Sequence, residues 1–489
     1  MGSPSYDGRA FVDGERVAAR AAQCFDCVSP VDGRVISAVA RCSEADIDAA
    51  VAVARRAFED QRWRGMAPAA RKRVLVRFAE LVLAHADELA LTETLDMGKP
   101  IQYARAVDVN SAANCLRWYG EAVDKVYDEV APTPRTGLAL IQREPVGVVG
   151  VIVPWNYPMI MTAWKIAPAL AAGNSVVLKP SEKSPLTALR MAELALEAGV
   201  PAGVFNVVPG FGPEAGAALA LHMDVDCIAF TGSTRVGKQI HVMAGQSNLK
   251  RAWTELGGKS PNIVFADCPD LDRAVRAAVE GVFFNQGESC NAPSRLFVQE
   301  GIRERFLEKA LALAPRYAPA NPLDTSTVMG AVVDRTQMET ILRYIDSGKR
   351  EGAALLHGGE QVLAHTGGCY VQPTIFAGVH SDMTIAREEI FGPVLSVLSF
   401  TDAADVVRQA NHSIYGLQAG VWTRDINQAL GVARALRAGT VHVNQYDEDD
   451  ITVPFGGYKQ SGIGRDKSLH AIDKYTELKT TWIRVDSPV

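Results

Sequence analysis

From residue 146 to 244 the chain alternates short β-rich apolar runs with helical patterns, and this alternation restricts the fold more than any other feature. Residues 146–153, 175–178, 205–208 and 227–230 read as strands, and 160–172, 185–198, 213–222 and 234–244 as the helices that follow them. Strands joined through helices return to the sheet in the same direction, so the pattern predicts a parallel sheet with helices on both faces. Ligands of such sheets lie beyond the carboxyl ends of the strands. Two glycine turns fall there. Gly210-Phe211-Gly212-Pro213-Glu214-Ala215-Gly216 is one residue longer than the usual dinucleotide fingerprint. Gly232-Ser233-Thr234-Arg235-Val236-Gly237-Lys238-Gln239 opens a helix whose N–H groups can hold a phosphate, and it nearly matches a triphosphate-binding loop. Gln239 stands where that loop needs Ser or Thr for magnesium, which favours a dinucleotide pyrophosphate over a triphosphate.

A chain of 489 residues exceeds what one core supports, so two or more domains are expected. Residues 43–125 read as helical, with Ser43-Glu44-Ala45-Asp46 as a cap; 130–145 turns extended around Pro132 and Pro134. A second α/β region runs from about 256 to 470, with strands at 261–265, 295–299 and 393–400. The strand-like tail at 475–483 can pair with the extended excursion. The net charge of −6 comes with no basic block, and no apolar run is long enough to span a bilayer. Nucleic-acid and membrane partners are therefore not expected; small molecules are, in a cytoplasmic protein. Eight scattered cysteines read as reduced thiols, and Cys24-x-x-Cys27 lacks the second ligand pair that a metal site needs, so no metal is expected.

One cysteine stands apart. The helical pattern from Leu271 breaks at Gly287 and leaves Cys290 on a small-residue turn, open enough for its thiolate to reach a substrate. On this segment alone a buried, inert thiol is the commoner outcome.

Together, Pro154-Trp155-Asn156-Tyr157-Pro158, Lys179-Pro180-Ser181-Glu182, Phe230-Thr231-Gly232-Ser233, Glu255-Leu256-Gly257-Gly258-Lys259, Cys290, Glu388-Glu389-Ile390-Phe391-Gly392-Pro393 and Pro454-Phe455-Gly456-Gly457-Tyr458-Lys459 resemble the aldehyde dehydrogenase superfamily, over essentially the whole chain. The resemblance implies a Rossmann-type dinucleotide-binding domain (1–124 and 146–255), an α/β catalytic domain (256–471) and a small β oligomerisation domain (125–145 and 472–489), in a dimer or tetramer. It implies NAD, with NADP weaker, and a small aldehyde as substrate. Cys290 would attack the aldehyde, the Asn156 amide and the Cys290 N–H would hold the oxyanion, and Glu255 would activate the water that hydrolyses the thioester.

The cofactor would lie against Ile152, Pro154, Trp155, Ser181, Gly212, Phe230 and Leu256, with its phosphates over Gly232 and Ser233. Lys179 and Glu182 would hold the adenosine ribose, Glu182 repelling a 2′-phosphate; Glu389 would hold the nicotinamide ribose beside Phe391. Two positions depart from the family pattern: Pro293 replaces a usual glycine, and Asp466 a usual glutamate.

For the substrate, the run Asp447-Glu448-Asp449-Asp450 precedes Pro454-Phe455, where the family has its entrance loop. Glu448 and Asp450, with Asp108 on the helix of Asn110 and Ser111, are expected to form an acidic mouth, and Tyr157, Trp164 and Phe455 an aromatic wall for an ammonium or aliphatic chain. A solvated loop tip is the plainer reading of such a run. The closest resemblance is to γ-glutamyl-γ-aminobutyraldehyde dehydrogenases, through Thr452-Val453-Pro454-Phe455 and Gly464-Arg465-Asp466-Lys467-Ser468-Leu469-His470. The expected substrates are ω-amino or polyamine-derived aldehydes. A dehydrogenase of neutral aldehydes, a cysteine hydrolase of esters and a non-catalytic binding protein of the same fold are the alternatives.

Overall fold

The computed structural model describes residues 6–446 and 448–486. The strands read from the sequence lie in one eight-stranded sheet, in the order Glu15–Val17, Ala10–Val12, Phe205–Val207, Ser175–Lys179, Val148–Ile152, Cys227–Thr231, Arg251–Glu255, Gly462–Ile463. The five central strands are parallel and the flanking ones antiparallel. Strand order reverses between Val148–Ile152 and Cys227–Thr231, which opens the crevice where α/β sheets bind ligands. All ten residues of these two strands are buried, as expected of a sheet covered on both faces.

A seven-stranded sheet carries Pro261–Val264, Arg295–Gln299 and Val394–Phe400 side by side in parallel. The tail strand Thr476–Arg484 pairs antiparallel with Gly137–Pro145 over nine residues, from Thr476 opposite Pro145 to Arg484 opposite Gly137. One short strand crosses the expected division of the chain at 256. Gly462–Ile463, far along in sequence, caps the first sheet by pairing with Thr254 and Glu255. Only glycine fits at 462, where φ is 125° and a Cβ would lie 2.1 Å from the Thr254 carbonyl oxygen.

The helix leading to the nucleophile candidate spans Leu271–Phe283 and stops before the break in the pattern at Gly287. Asn285, Gln286 and Gly287 then all take positive φ (49°, 57° and 73°), a costly conformation for the first two that turns the chain sharply toward Cys290. At Gly287 a Cβ would also lie 2.2 Å from the Gly392 backbone. A second irregularity matters later. The helix over 101–122 contains a π-helical turn, Ala104–Val109, whose extra residue rotates the positions within it relative to a regular helix. No helix among the described residues is long and apolar enough to cross a membrane.

Candidate active site

Glu255 closes its parallel strand, and the turn after Phe284 brings Cys290 to it, so that the thiol hydrogen-bonds the carboxylate. Glu255 is 4% exposed, and its Oε1 has no partner. Burial pushes the carboxyl up to about 8 against the opposing pull of the Lys165 ammonium. Cys290 is half-buried and lines a cavity of about 850 Å³. Cys42, Cys227 and Cys369 are buried thiols that desolvation pushes up to about 12, 12 and 11, which makes them poor nucleophiles. Cys27 sits on a strand as a buried donor to Asp96 at 2.9 Å.

Asn156 follows the strand at the crevice. One of its amide hydrogens goes to the Glu288 carbonyl at 2.9 Å, while the Asn285 amide donates to the Asn156 carbonyl at 3.1 Å. These bonds fix the amide beside the Cys290 turn and leave its second N–H available.

Behind Glu255 lies a buried charge chain that sequence reading did not assemble. Lys165 donates to Asp466 at 2.5 Å, and Lys474 donates to the other oxygen of the same carboxylate. Burial alone would raise the Asp466 carboxyl; the two lysines outweigh it and hold the group at about 2. The other departure from the family pattern, Pro293, packs on the helix backbone, where a Cβ on Gly281 would lie 2.7 Å from its Cγ. No local signal marks Asp466 as the partner of a lysine 301 positions away.

The crevice is built for a dinucleotide. Lys179, 3% exposed, donates to Glu182 at 3.1 Å. Ser233 caps the helix Thr234–Gln246, accepting from the Val236 N–H at 3.3 Å, at the turn that follows the strand Cys227–Thr231. Glu389 accepts the Gly258 N–H at 2.9 Å, and a Cβ at Gly257 would lie 2.0 Å from its Oε2, so that glycine makes room for the carboxylate. Burial pushes Glu389 up to about 7. Trp155 and Phe391 meet edge to face at 5.2 Å, and Ile152, Phe230 and Leu256 are buried in one apolar cluster against the sheet. Ser181 accepts the Lys183 N–H at 3.2 Å. At Gly212 a Cβ would meet nothing within 4 Å, so the position is open rather than crowded. A buried ammonium beside a carboxylate, a free helix N-terminus and a second buried carboxylate fit the ribose hydroxyls and pyrophosphate of NAD.

The substrate side differs from expectation in two of its six residues. Tyr157, Trp164, Phe455 and Glu448 line the cavity. Asp108 does not. It is fully buried and ion-paired with Lys99, because the π-helical turn presents Val107 to the cavity in its place. Asp450 also lies outside the lining, its carboxylate capping its own loop through the Thr452 N–H at 2.8 Å and hydroxyl at 2.6 Å. Asp447 lies outside the described residues. Asp449 lines the cavity but is paired with the buried Lys467. Lys467, Phe284 and a set of rim arginines are cavity residues that the motifs did not single out.

The geometry is matched by known proteins. The model of the Aldehyde dehydrogenase family covers residues 17–481. The chain belongs to that family. It is 52% identical over 485 residues to the NADP/NAD-dependent aldehyde dehydrogenase PuuC of Escherichia coli (strain K12), covering 99% of this chain and 97% of PuuC. The crystal structure of a γ-glutamyl-γ-aminobutyraldehyde dehydrogenase from Burkholderia cenocepacia J2315 superposes with a TM-score of 0.97 at 61% identity, covering 99% and 97% of the two chains. A mutant of the P. syringae AldA indole-3-acetaldehyde dehydrogenase, in complex with NAD+ and IAA, superposes with a TM-score of 0.98 at 58% identity and the same coverage. This aldehyde dehydrogenase is thus an oxidoreductase that oxidises aldehydes with a nicotinamide cofactor.

Proposed function

We propose that the enzyme oxidises ω-amino and other polyamine-derived aldehydes, such as γ-glutamylaminobutyraldehyde, 3-aminopropionaldehyde or guanidinobutyraldehyde, to their acids, with NAD preferred over NADP. The observation that carries this reading is the lining of one cavity: the Cys290 thiol, aromatic walls in Tyr157, Trp164 and Phe455, and charged side chains that include Glu448. A chain with a polar tail uses all of that surface; a short alkyl aldehyde leaves the charged side chains unused. The names of the B. cenocepacia enzyme and of the 48%-identical aminoacetaldehyde dehydrogenase of Pseudomonas aeruginosa support the same substrate class.

In this reading the Cys290 thiol releases its proton to solvent through the cavity it lines, and the thiolate attacks the carbonyl carbon. The new C–S bond leaves an oxyanion, which accepts from the free Asn156 N–H and the Cys290 backbone N–H. Bound NAD supplies the hydride acceptor, so the adduct's C–H is oxidised and a thioester remains on Cys290. Glu255 then deprotonates a water; its hydroxide adds to the thioester carbon, the C–S bond breaks, and acid and thiolate separate. We propose further that the enzyme is a cytoplasmic dimer or tetramer. Its eight free cysteines suit a reducing compartment, and the three-stranded sheet exposes Val130, Leu138 and Ile483 on one face and Leu478 and Trp482 on the other.

The test is the formation of reduced nicotinamide with polyamine-derived aldehydes and with neutral alkyl aldehydes of equal length. A higher kcat/KM for the neutral series would overturn the substrate class.

A further inference from the structure

We propose that Arg273, Arg276 and Arg316 form a carboxylate-binding subsite at the outer end of the substrate cavity, so that the preferred aldehyde carries a carboxylate at the end remote from its carbonyl. The proposal rests on the substrate reading above and narrows it.

The helix Leu271–Phe283 forms one wall of the cavity and acts as a ruler along it. Arg273, Arg276, Ala277, Glu280, Gly281 and Phe284 line the space, a spacing of three and four that marks a single helical face. At 1.5 Å per residue, Arg276 lies about 12 Å along that axis from Phe284, which is next to the Cys290 turn, and Arg273 about 16 Å. Arg316 reaches the same space from a separate element, Ala314–Tyr317. All three arginines are exposed, and none forms an ion pair with a described residue, whereas Arg16, Arg41, Arg55 and Arg62 each do.

The nearby acids compensate them only in part: Glu280 accepts from the Tyr317 hydroxyl, Asp272 interacts with Arg276 but is ion-paired with Lys309, and Asp449 is paired with Lys467. Of the charged residues lining the cavity, four are cationic (Arg273, Arg276, Arg316 and Lys467) and three acidic (Glu280, Glu448 and Asp449), so the mouth is not the acidic one that the loop sequence suggests. Unpaired guanidiniums attract an anion from solution and offer forked donors that match a carboxylate. A free ω-aminoaldehyde ends in an ammonium, which guanidiniums repel, and its three or four carbons span well under the roughly 12 Å of helix between Arg276 and Phe284. An aminoaldehyde acylated by a dicarboxylic or α-amino acid has about ten chain atoms, and at about 3.5 Å per three of them it spans the 12 Å.

The test uses the full enzyme with NAD and two aldehydes of one scaffold, N-acetyl- and N-succinyl-4-aminobutyraldehyde, in the wild type and in Arg273→Gln/Arg276→Gln/Arg316→Gln. In the wild type the succinyl compound should have a KM about tenfold to a hundredfold below that of the acetyl compound, as hydrogen bonds to a charged group supply. That ratio should weaken in high salt and collapse toward one in the triple variant, with kcat for the succinyl compound retained. A KM ratio that survives in the triple variant, or a ratio near one in the wild type, overturns the subsite. If both N-acylated compounds instead lose to a neutral alkyl aldehyde, it is the polyamine reading that fails.

Discussion

The Lys467 ammonium sits 5.4 Å from the centroid of the Trp164 ring and 5.8 Å from that of Phe455. The aromatic wall that could have received a substrate's ammonium is therefore already in contact with a cation of the protein's own. Lys467 holds a φ of 60°, an uncommon conformation for a non-glycine residue, so its surroundings fix it there. Removing that charge should open the wall to a cationic substrate. Lys467→Met is expected to improve kcat/KM for 3-aminopropionaldehyde relative to propionaldehyde by about tenfold, the scale of a desolvated cation–π contact. An unchanged ratio would show that Lys467 and the substrate tail do not share the site.

The chemical step should carry the mark of Glu255. Burial raises its carboxyl to about 8, so the charged form that can accept a proton predominates only above that pH. Steady-state turnover is therefore expected to rise with pH across roughly 7 to 9. Glu255→Gln should remove that limb and accumulate the acyl-enzyme, visible as a burst of reduced cofactor and as an adduct on Cys290 by mass spectrometry. Cys290→Ala should show neither turnover nor adduct while still binding cofactor. Turnover by Cys290→Ala would end the covalent mechanism.

Asp466 is predicted to be a stability hinge for the active-site wall. Its carboxylate compensates two buried ammoniums, Lys165 and Lys474, and Asp466→Asn would leave both uncompensated, at a cost of about 3–5 kcal/mol. The pH dependence follows the same sign. The folded group titrates at about 2 against an ordinary 3.8, so its stabilisation is complete above about 4 and is lost as pH falls from there toward 2. Thermal melts of wild type and Asp466→Asn at pH 7 and at about pH 2.5 measure both effects; equal melting temperatures at pH 7 would refute the assignment.

Cofactor choice should turn on Glu182. Its carboxylate, 3.1 Å from the Lys179 ammonium, is the group that a 2′-phosphate would meet. Glu182→Gln is expected to raise kcat/KM with NADP by about tenfold relative to NAD, about 1.4 kcal/mol of relieved repulsion at a partly exposed position. A ratio of NADP to NAD efficiency that stays at the wild-type value would place the discrimination elsewhere.

What the sequence determined by itself was whatever a local period or a short motif can encode. The strand and helix alternation after residue 146 gave the parallel sheet, because side-chain periodicity and crossover handedness leave few other arrangements. The pairing of the tail with 137–145 was also legible, since two unpartnered extended runs remained. Cys290 and Glu255 could be named from their motifs, but their hydrogen bond depends on three consecutive positive φ angles at Asn285, Gln286 and Gly287 that no propensity announces. Charge partners were the part only the tertiary structure decided. Asp108 reads as an entrance acid until a π-helical turn and Lys99 bury it, and Asp466 reads as a shortened glutamate until Lys165, 301 residues away, meets it. Arg273 and Arg276 are exposed on an amphipathic helix, and only the fold sets that face along the cavity that Cys290 also lines. The physical reason is common to all of these. Hydrophobic periodicity acts between neighbours in sequence, whereas a buried or unpaired charge takes its meaning from whichever distant group the packed chain brings within a few ångströms.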